Sequence, residues 1–179
     1  MKRTEGTVII GGGVVGASVS YHLAERGASD VLMLEREDVQ GRGSTGAATG
    51  GVRSQFETEV NIRMSMYSID FFRNWEYETG YEPRGYLFFA TAAEQFEYLQ
   101  RNVETQRSLG VQGVEIVDTD AIRKMIPGMN CDDIHGGSFG ATDGFIDPLA
   151  VMRSFTEGAI KRGVRLETGT ESISIITEG

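Results

Sequence analysis

Residues 7–35 read TVIIGGGVVGASVSYHLAERGASDVLMLE, and they give the clearest indication of the fold. A short apolar run, Val8 to Ile10, precedes glycines spaced Gly-x-Gly-x-x-Gly over 11–16. A helical pattern follows, and a second apolar run ends at Glu35. Apolar runs of this length indicate buried parallel strands, and the glycine spacing suits a strand-to-helix turn. Together they predict a βαβ unit of the kind that binds a dinucleotide.

Each residue of the turn has a physical role in this interpretation. Gly11 permits the tight turn, Gly13 lets the backbone approach a pyrophosphate, and Gly16 lets the helix pack on the strand. Val14 and Val15 are expected to donate backbone N–H groups to the phosphates, because the N-terminus of a helix carries a partial positive charge.

An acidic residue completes the pattern. Glu35 lies nineteen residues after Gly16, where it is expected to accept hydrogen bonds from the adenosine ribose. Arg36 beside it is an alternative partner for a 2′-phosphate, so the turn alone does not distinguish FAD from NAD or NADP.

Composition is that of an ordinary globular domain: 179 residues, 40% hydrophobic and 24% charged. Lys and Arg total 17 against 26 Asp and Glu, and the net charge of −9 argues against nucleic acid as a partner. Cys131 is the only cysteine and cannot form an internal disulfide, which favours a reducing, cytoplasmic location. The apolar stretch 7–17 is too short to span a membrane, so no transmembrane segment is predicted.

Periodicity and turn residues predict the other elements. Helices are predicted at 14–26, 59–78, 91–109, 118–125 and 147–162. Strands are predicted at 86–90, 114–117, 136–140, 164–166 and 173–176. Along the first helix, one apolar face is formed by Val15, Val19, His22 and Leu23. Thr91 and Glu94 have capping-box spacing, and Asp118 and Asp147 are expected N-caps.

A second loop of small residues follows the βαβ unit. Residues 43–51 read GSTGAATGG. Such a run of small residues is unusual in a packed core but suits a backbone in contact with a ligand. We therefore expect a second binding loop here.

This loop and three later motifs resemble one family. GST at 43–45 followed by GGVR at 50–53 resembles the flavin-contacting loop of the D-amino-acid oxidase and sarcosine oxidase superfamily. RGYLF at 84–88, IPG at 126–128 and GFIDP at 144–148 come in the order seen in its glycine-oxidase-like and sarcosine-oxidase-like members. The resemblance spans nearly the whole chain.

The resemblance implies an α/β fold, α+β overall, with a Rossmann-like FAD-binding βαβ unit and part of a β-sheet-plus-helix substrate domain. It assigns 1–84 to the first part of the FAD-binding domain, 85–145 to a substrate-domain segment and 146–179 to a truncated return to the FAD-binding domain. Because chains of the family are much longer, we expect a fragment that needs more polypeptide, or a second chain, to complete its site.

The resemblance also assigns site residues. Ser44 and Thr45 would lie against the diphosphate and ribityl chain, and Gly43 belongs to the same loop. The isoalloxazine ring would be approached by Thr49, Gly50 and Gly51. Ser172 would make a backbone contact near the adenine.

Arg53 aligns with an arginine that binds the substrate carboxylate in some relatives, a role that suits a planar guanidinium. A structural ion pair is the alternative for this residue. Some relatives attach flavin through a histidine in the second loop, and Thr45, Gly46 and Ala47 offer none, so the resemblance implies non-covalent FAD. No catalytic residue and no metal ligand is assigned.

The activity implied is oxidation of a C–N bond in an amino acid or secondary amine, with hydride transfer to flavin N5. That describes an FAD-dependent amine or amino-acid oxidase or dehydrogenase with a small-molecule substrate. Two alternatives stay open. One is a non-catalytic dinucleotide-binding fragment or subunit that needs a partner chain, and the other is an NAD(P)-dependent dehydrogenase that uses the same turn.

Overall fold

The computed structural model describes residues 4–177, which form two compact units. Within the described residues, the first unit comprises 4–50, 76–80 and 147–177, and the second comprises 51–75 and 81–146. The strands are β1 (Thr7–Ile10), β2 (Val31–Leu34), β3 (Gly51–Val52), β4 (Tyr86–Ala90), β5 (Val114–Val117), β6 (Gly136–Gly140), β7 (Gly144–Phe145) and β8 (Arg165–Glu167). The helices are α1 (Val14–Glu25), α2 (Ser44–Ala47), α3 (Glu59–Asn74), α4 (Ala93–Ser108), α5 (Thr119–Met125) and α6 (Pro148–Lys161).

The first unit contains a parallel sheet in the order β1-β2-β8. Helix α1 connects β1 to β2, so the predicted βαβ unit is confirmed. Helix α6 packs closely on α1 because Gly158 leaves room there: a Cβ at that position would lie 2.7 Å from the ring of Tyr21. The mixed α/β fold predicted from the sequence is confirmed as well.

The predicted helix is confirmed as α1, but the face that it buries is not the apolar face identified from the sequence. The buried residues are Ala17, Ser20 and Tyr21, whereas Val15 and Val19 are 74% and 44% exposed. The physical reason is the close approach of α6, which a face of small residues and one aromatic ring accommodates. The valines are left on the opposite side, where they line an open cleft.

The second unit is built on an antiparallel sheet in the order β4-β6-β5, beside a short ribbon of β3 and β7. Helices α3 and α4 contribute Ile62 and Val103 to a core cluster with Val111 and Val114. Helix α5 contributes Ile122 to a second cluster.

The compact units differ from the predicted segments at 81–84 and 146, which fall in the second unit, and most of all at 51–75. These residues pack with the second unit, because Ile62 of α3 is buried in the same cluster as Val103 and Val114. The assignment of 1–84, 85–145 and 146–179 to cofactor and substrate domains stays a prediction, and its outermost positions lie outside the described residues.

The two aspartate caps are confirmed. Asp118 accepts a hydrogen bond from Ala121 N at the start of α5, and Asp147 accepts from the N–H groups of Leu149 and Ala150 at the start of α6.

Three local predictions are wrong. The Thr91 N–H donates to the side chain of Gln95, one residue beyond Glu94, and Ala92 caps α4 without a side-chain bond, so no capping box forms. Helix α3 ends at Asn74 rather than 78, because Trp75 turns into extended backbone. Residues 173–176 pair with no strand of the described chain, and their isoleucines are exposed.

Among residues 4–177, no helix is both long and apolar enough to cross a bilayer. The same residues contain no group of three His, Cys, Asp or Glu side chains arranged to hold a metal ion.

Candidate functional site

The first glycine turn has the geometry that its sequence requires. Gly11 has a φ of +101°, a backbone conformation that favours glycine, and its N–H donates to Leu34 O at 2.8 Å. A Cβ at Gly16 would collide with the carbonyl oxygen of Gly11, so only glycine lets α1 begin this close to the turn. Two of the three glycines are therefore required by the fold itself.

Glu35 is fixed against this turn by both carboxylate oxygens. Its Oε2 accepts a hydrogen bond from Gly12 N at 2.9 Å, and its Oε1 accepts from Glu37 N at 3.0 Å. Each oxygen keeps a further lone pair for a ligand hydroxyl. Gln40 fixes the same glycine from the other side, because its Nε2 donates to Gly12 O at 2.6 Å.

The second loop is tied to the first turn by one side chain. Val14 N donates to Thr45 Oγ1 at 3.0 Å, which joins the start of α1 to α2. The sequence assigned the Val14 N–H to a phosphate, whereas in this structure it is engaged by Thr45. The contact is tight, since a Cβ at Gly13 would lie 3.1 Å from the same hydroxyl.

The second loop also repeats the geometry of the first turn. Residues 41–46 read GRGSTG, the same Gly-x-Gly-x-x-Gly spacing. Gly41 has a φ of +87°, and a Cβ at Gly46 would collide with the carbonyl oxygen of Gly41. Gly43 is different, because a Cβ there would meet no atom within 4 Å. The prediction missed the role of Gly41 and Gly46, although their spacing was visible in the sequence.

The two turns line one cleft of about 540 Å³ within the first unit. Ten predicted cofactor residues lie along it: Gly11, Gly13, Val14, Val15, Gly16, Glu35, Arg36, Gly43, Ser44 and Thr45. A neighbouring cavity of about 350 Å³ is lined by Glu35, Arg36 and the predicted adenine contact, Ser172. Residues from four separate parts of the sequence thus converge on adjoining cavities.

The remaining predicted cofactor residues lie outside the lining of the cleft. Thr49 is exposed, Gly50 has a φ of +77°, and Gly51 pairs with Phe145 in the β3–β7 ribbon. Arg36, which does line the cleft, pairs with Glu37 at 3.2 Å and is mostly exposed.

Arg53 lies in the second unit, where aromatic rings surround its guanidinium. The central carbon is 4.8 Å from the ring centroid of Phe56, 5.4 Å from that of Phe88 and 5.6 Å from that of Tyr86. Its Nε is buried without a hydrogen-bond partner, and no carboxylate in residues 4–177 forms an ion pair with it. The structural ion pair considered from the sequence is therefore absent from this part of the chain. The guanidinium lines a cavity of about 340 Å³.

A buried carboxylate holds the segment that follows Arg53. Asp143 is fully buried and accepts from Ser54 N at 2.8 Å, Ser54 Oγ at 2.8 Å and Gln55 Nε2 at 3.0 Å. Gln55 in turn accepts from Ser138 Oγ at 2.7 Å. The network fixes the backbone next to Arg53, and sequence reasoning missed it because its members are 83–89 residues apart.

The two histidines and the cysteine lie outside the lining of the cleft. His22 lies 3.1 Å from Glu25 on α1, and Cys131 is buried. His135 is exposed, and its backbone N–H donates to Ala90 O at 2.8 Å.

Comparison with known proteins gives a consistent result. The sequence profile of the family described as "DAO: FAD dependent oxidoreductase" matches residues 7–179. "FAD-dependent oxidoreductase domain-containing protein 1" of Xenopus laevis is 34% identical over 172 residues, which cover 88% of this chain and 34% of that protein. Mitochondrial dimethylglycine dehydrogenase of Rattus norvegicus is 34% identical over 166 residues, which cover 90% of this chain and 19% of that protein.

Among solved structures, L-proline dehydrogenase from P. horikoshii matches with a TM-score of 0.89 at 27% identity. The match covers 99% of this chain and 47% of that one. The chain therefore spans about a third or less of the two curated relatives, and about half of this structure.

Proposed function

Because the chain belongs to the DAO family of FAD-dependent oxidoreductases, we propose that its first unit binds FAD in the cleft between the two glycine turns. We further propose that the whole protein oxidises a C–N bond of an amino acid or amine. The names of two relatives, dimethylglycine dehydrogenase and L-proline dehydrogenase, support this substrate class, since both compounds are amino acids with a substituted nitrogen.

One observation carries the proposal: ten residues assigned to the cofactor, eight from the two glycine turns and two, Glu35 and Arg36, from the end of β2, line a single cleft. The small residue at position 43 also fits a ligand bound in the cleft. Gly43 is required neither by a positive φ nor by packing against the chain, since its φ is −92° and a Cβ there would meet open space. A ligand that passes close to the backbone accounts for a small residue at this position.

In this proposal, the residues of the first unit hold the ribose and the pyrophosphate of the dinucleotide. Glu35 accepts hydrogen bonds from the ribose with its free lone pairs, and the helix start at Val14 and Val15 faces the pyrophosphate with its partial positive charge. Thr45 keeps the two turns together. When bound, FAD supplies the acceptor for two electrons from the C–N bond.

For the substrate, we propose that Arg53 binds a carboxylate. Its guanidinium has no ion-pair partner in the described chain, and its buried Nε lacks an acceptor. A planar fork of N–H donors suits a carboxylate, and the three surrounding rings keep it in place through cation–π contacts.

We propose that FAD is held without a covalent bond, because the lining of the cleft contains no histidine or cysteine among the described residues. Acid precipitation of the FAD-loaded protein tests this point. Flavin released into the supernatant is expected, and flavin retained in the pellet would contradict it. A second polypeptide that completes the site and a cytoplasmic location also remain proposals. The lone Cys131 supports a reducing compartment, while the rat relative is described as mitochondrial.

Anaerobic reduction tests the activity. The FAD-loaded chain, or the longer polypeptide that contains it, is mixed with L-proline, N,N-dimethylglycine or an equal concentration of acetate. Loss of the visible flavin absorbance with an amine, and not with acetate, is the expected result. Binding of FAD without bleaching by any amine or amino acid would leave the family assignment intact and reject the proposed reaction.

A further inference from the structure

The cavity of about 340 Å³ that Arg53 lines contains a second buried polar atom without a hydrogen-bond partner. Gln106 of α4 is only 3% exposed, and its Nε2 donates to Phe56 O at 2.8 Å. Its Oε1 is buried and accepts no hydrogen bond. Since a buried acceptor without a donor costs free energy, its presence at a cavity wall points to a ligand that supplies the donor.

Phe56 connects this acceptor to Arg53. Its backbone oxygen fixes the amide group of Gln106, and its ring lies under the guanidinium of Arg53. The two unsatisfied groups are therefore held by the same residue, and both line the same cavity. Two other polar groups at the wall, Ser138 and Gln55, are already hydrogen-bonded to each other.

The charges and the volume of the cavity indicate which kind of ligand it can bind. One cation, Arg53, and one anion, Glu57, are found in the lining, which suits a zwitterion better than a dianion. Glu57 is oriented by Tyr98, whose hydroxyl donates to its Oε2 at 3.1 Å. A volume of about 340 Å³ is near the lower end for ligand pockets and matches a small molecule.

We propose that this cavity binds a small amino acid with its carboxylate on Arg53 and an N–H of its ammonium group on Gln106. Gln106 is then a specificity residue, which favours ammonium groups that retain a hydrogen over quaternary ones. The inference rests on the proposed function in one respect, the carboxylate on Arg53, and it adds the second point of recognition.

Two ligands that differ in the N–H group of their cationic nitrogen test the role of Gln106. N,N-dimethylglycine has one N–H on its cationic nitrogen, whereas trimethylglycine has the same charges and none. Isothermal titration calorimetry on the FAD-loaded chain is expected to give about tenfold tighter binding of dimethylglycine, because only it satisfies the Gln106 acceptor. In Gln106→Met, the preference should fall to within about twofold. Gln100→Met, at an exposed position of the same helix, is the matched control and should behave as wild type.

Each outcome has a defined meaning. A preference that persists in Gln106→Met would come from the size of the third methyl group and would overturn the inference. Binding of FAD with equal affinity for the two ligands would overturn it while leaving the cofactor proposal intact. A Gln106-dependent preference in a chain that does not bind FAD would support the inference and reject the cofactor proposal.

A measurement on the wild-type chain covers the case in which Gln106→Met fails to fold. The side-chain amide of Gln106 is expected to shift in a ¹⁵N–¹H NMR spectrum on addition of dimethylglycine and much less with trimethylglycine. Equal shifts, or none, with both ligands would overturn the inference.

Discussion

Substitution of Gly43 is expected to weaken FAD binding without lowering the stability of the FAD-free chain. In Gly43→Ala the added Cβ meets no protein atom within 4 Å, and the φ of −92° is accessible to alanine. The free energy of unfolding of the FAD-free chain should therefore stay within about 1 kcal/mol of wild type. A methyl group in the path of a closely bound ligand typically costs about 1–3 kcal/mol. The expected loss of FAD affinity is thus about 5- to 150-fold.

The assay pairs urea unfolding of the FAD-free chain with a fluorescence titration of FAD. Gly16→Ala serves as the contrast, because its Cβ would collide with Gly11 O and it should lower stability by about 1–3 kcal/mol or more even without ligand. If Gly43→Ala is as stable as wild type and binds FAD within about twofold of it, the ligand does not pass Gly43 and the reasoning fails.

Three further substitutions test the residues that hold the sites. Asp143→Ala leaves buried donors without an acceptor and should lower the free energy of unfolding, measured in urea, by about 3–5 kcal/mol. The control Asp132→Ala changes an exposed residue and should be as stable as wild type. Equal effects of the two substitutions would contradict the role of Asp143 in the network. Thr45→Val leaves the Val14 N–H without its acceptor, so thermal melting should reveal a loss of about 1–2 kcal/mol that Thr45→Ser restores. Glu35→Gln should weaken FAD about 5- to 30-fold in the same titration, and an unchanged dissociation constant would remove Glu35 from the ribose site.

Structural features that depend only on residues close together in the sequence could be predicted from the sequence. The glycine spacing over 11–16 predicted the βαβ turn, because the tight turn and the close helix start depend on those positions themselves. Asp118 and Asp147 were predictable as caps, since a cap reaches only two or three residues along the chain. The same local logic failed at Thr91, where Gln95 is one residue further on and still within reach.

Features set by distant residues were not predictable. Asp143 meets its donors across 88–89 residues, and Gln106 meets Phe56 across 50, so nothing in the local pattern marks them. The exposed side of α1 was also hidden, because Val15 and Val19 look like core residues until the cleft that they line is known. The site residues of the second loop required a family resemblance as well as spacing.

Binding of FAD by the first unit is tested by a thermal-shift titration of the 179-residue chain. At a free FAD concentration of about 100 times the dissociation constant, binding stabilises the folded state by about 2.7 kcal/mol. For a chain of this size that raises Tm by about 5–10 °C. This rise is expected with FAD, and no rise is expected with NADPH. A folded chain whose Tm does not change with FAD, or rises only with NADPH, would contradict it.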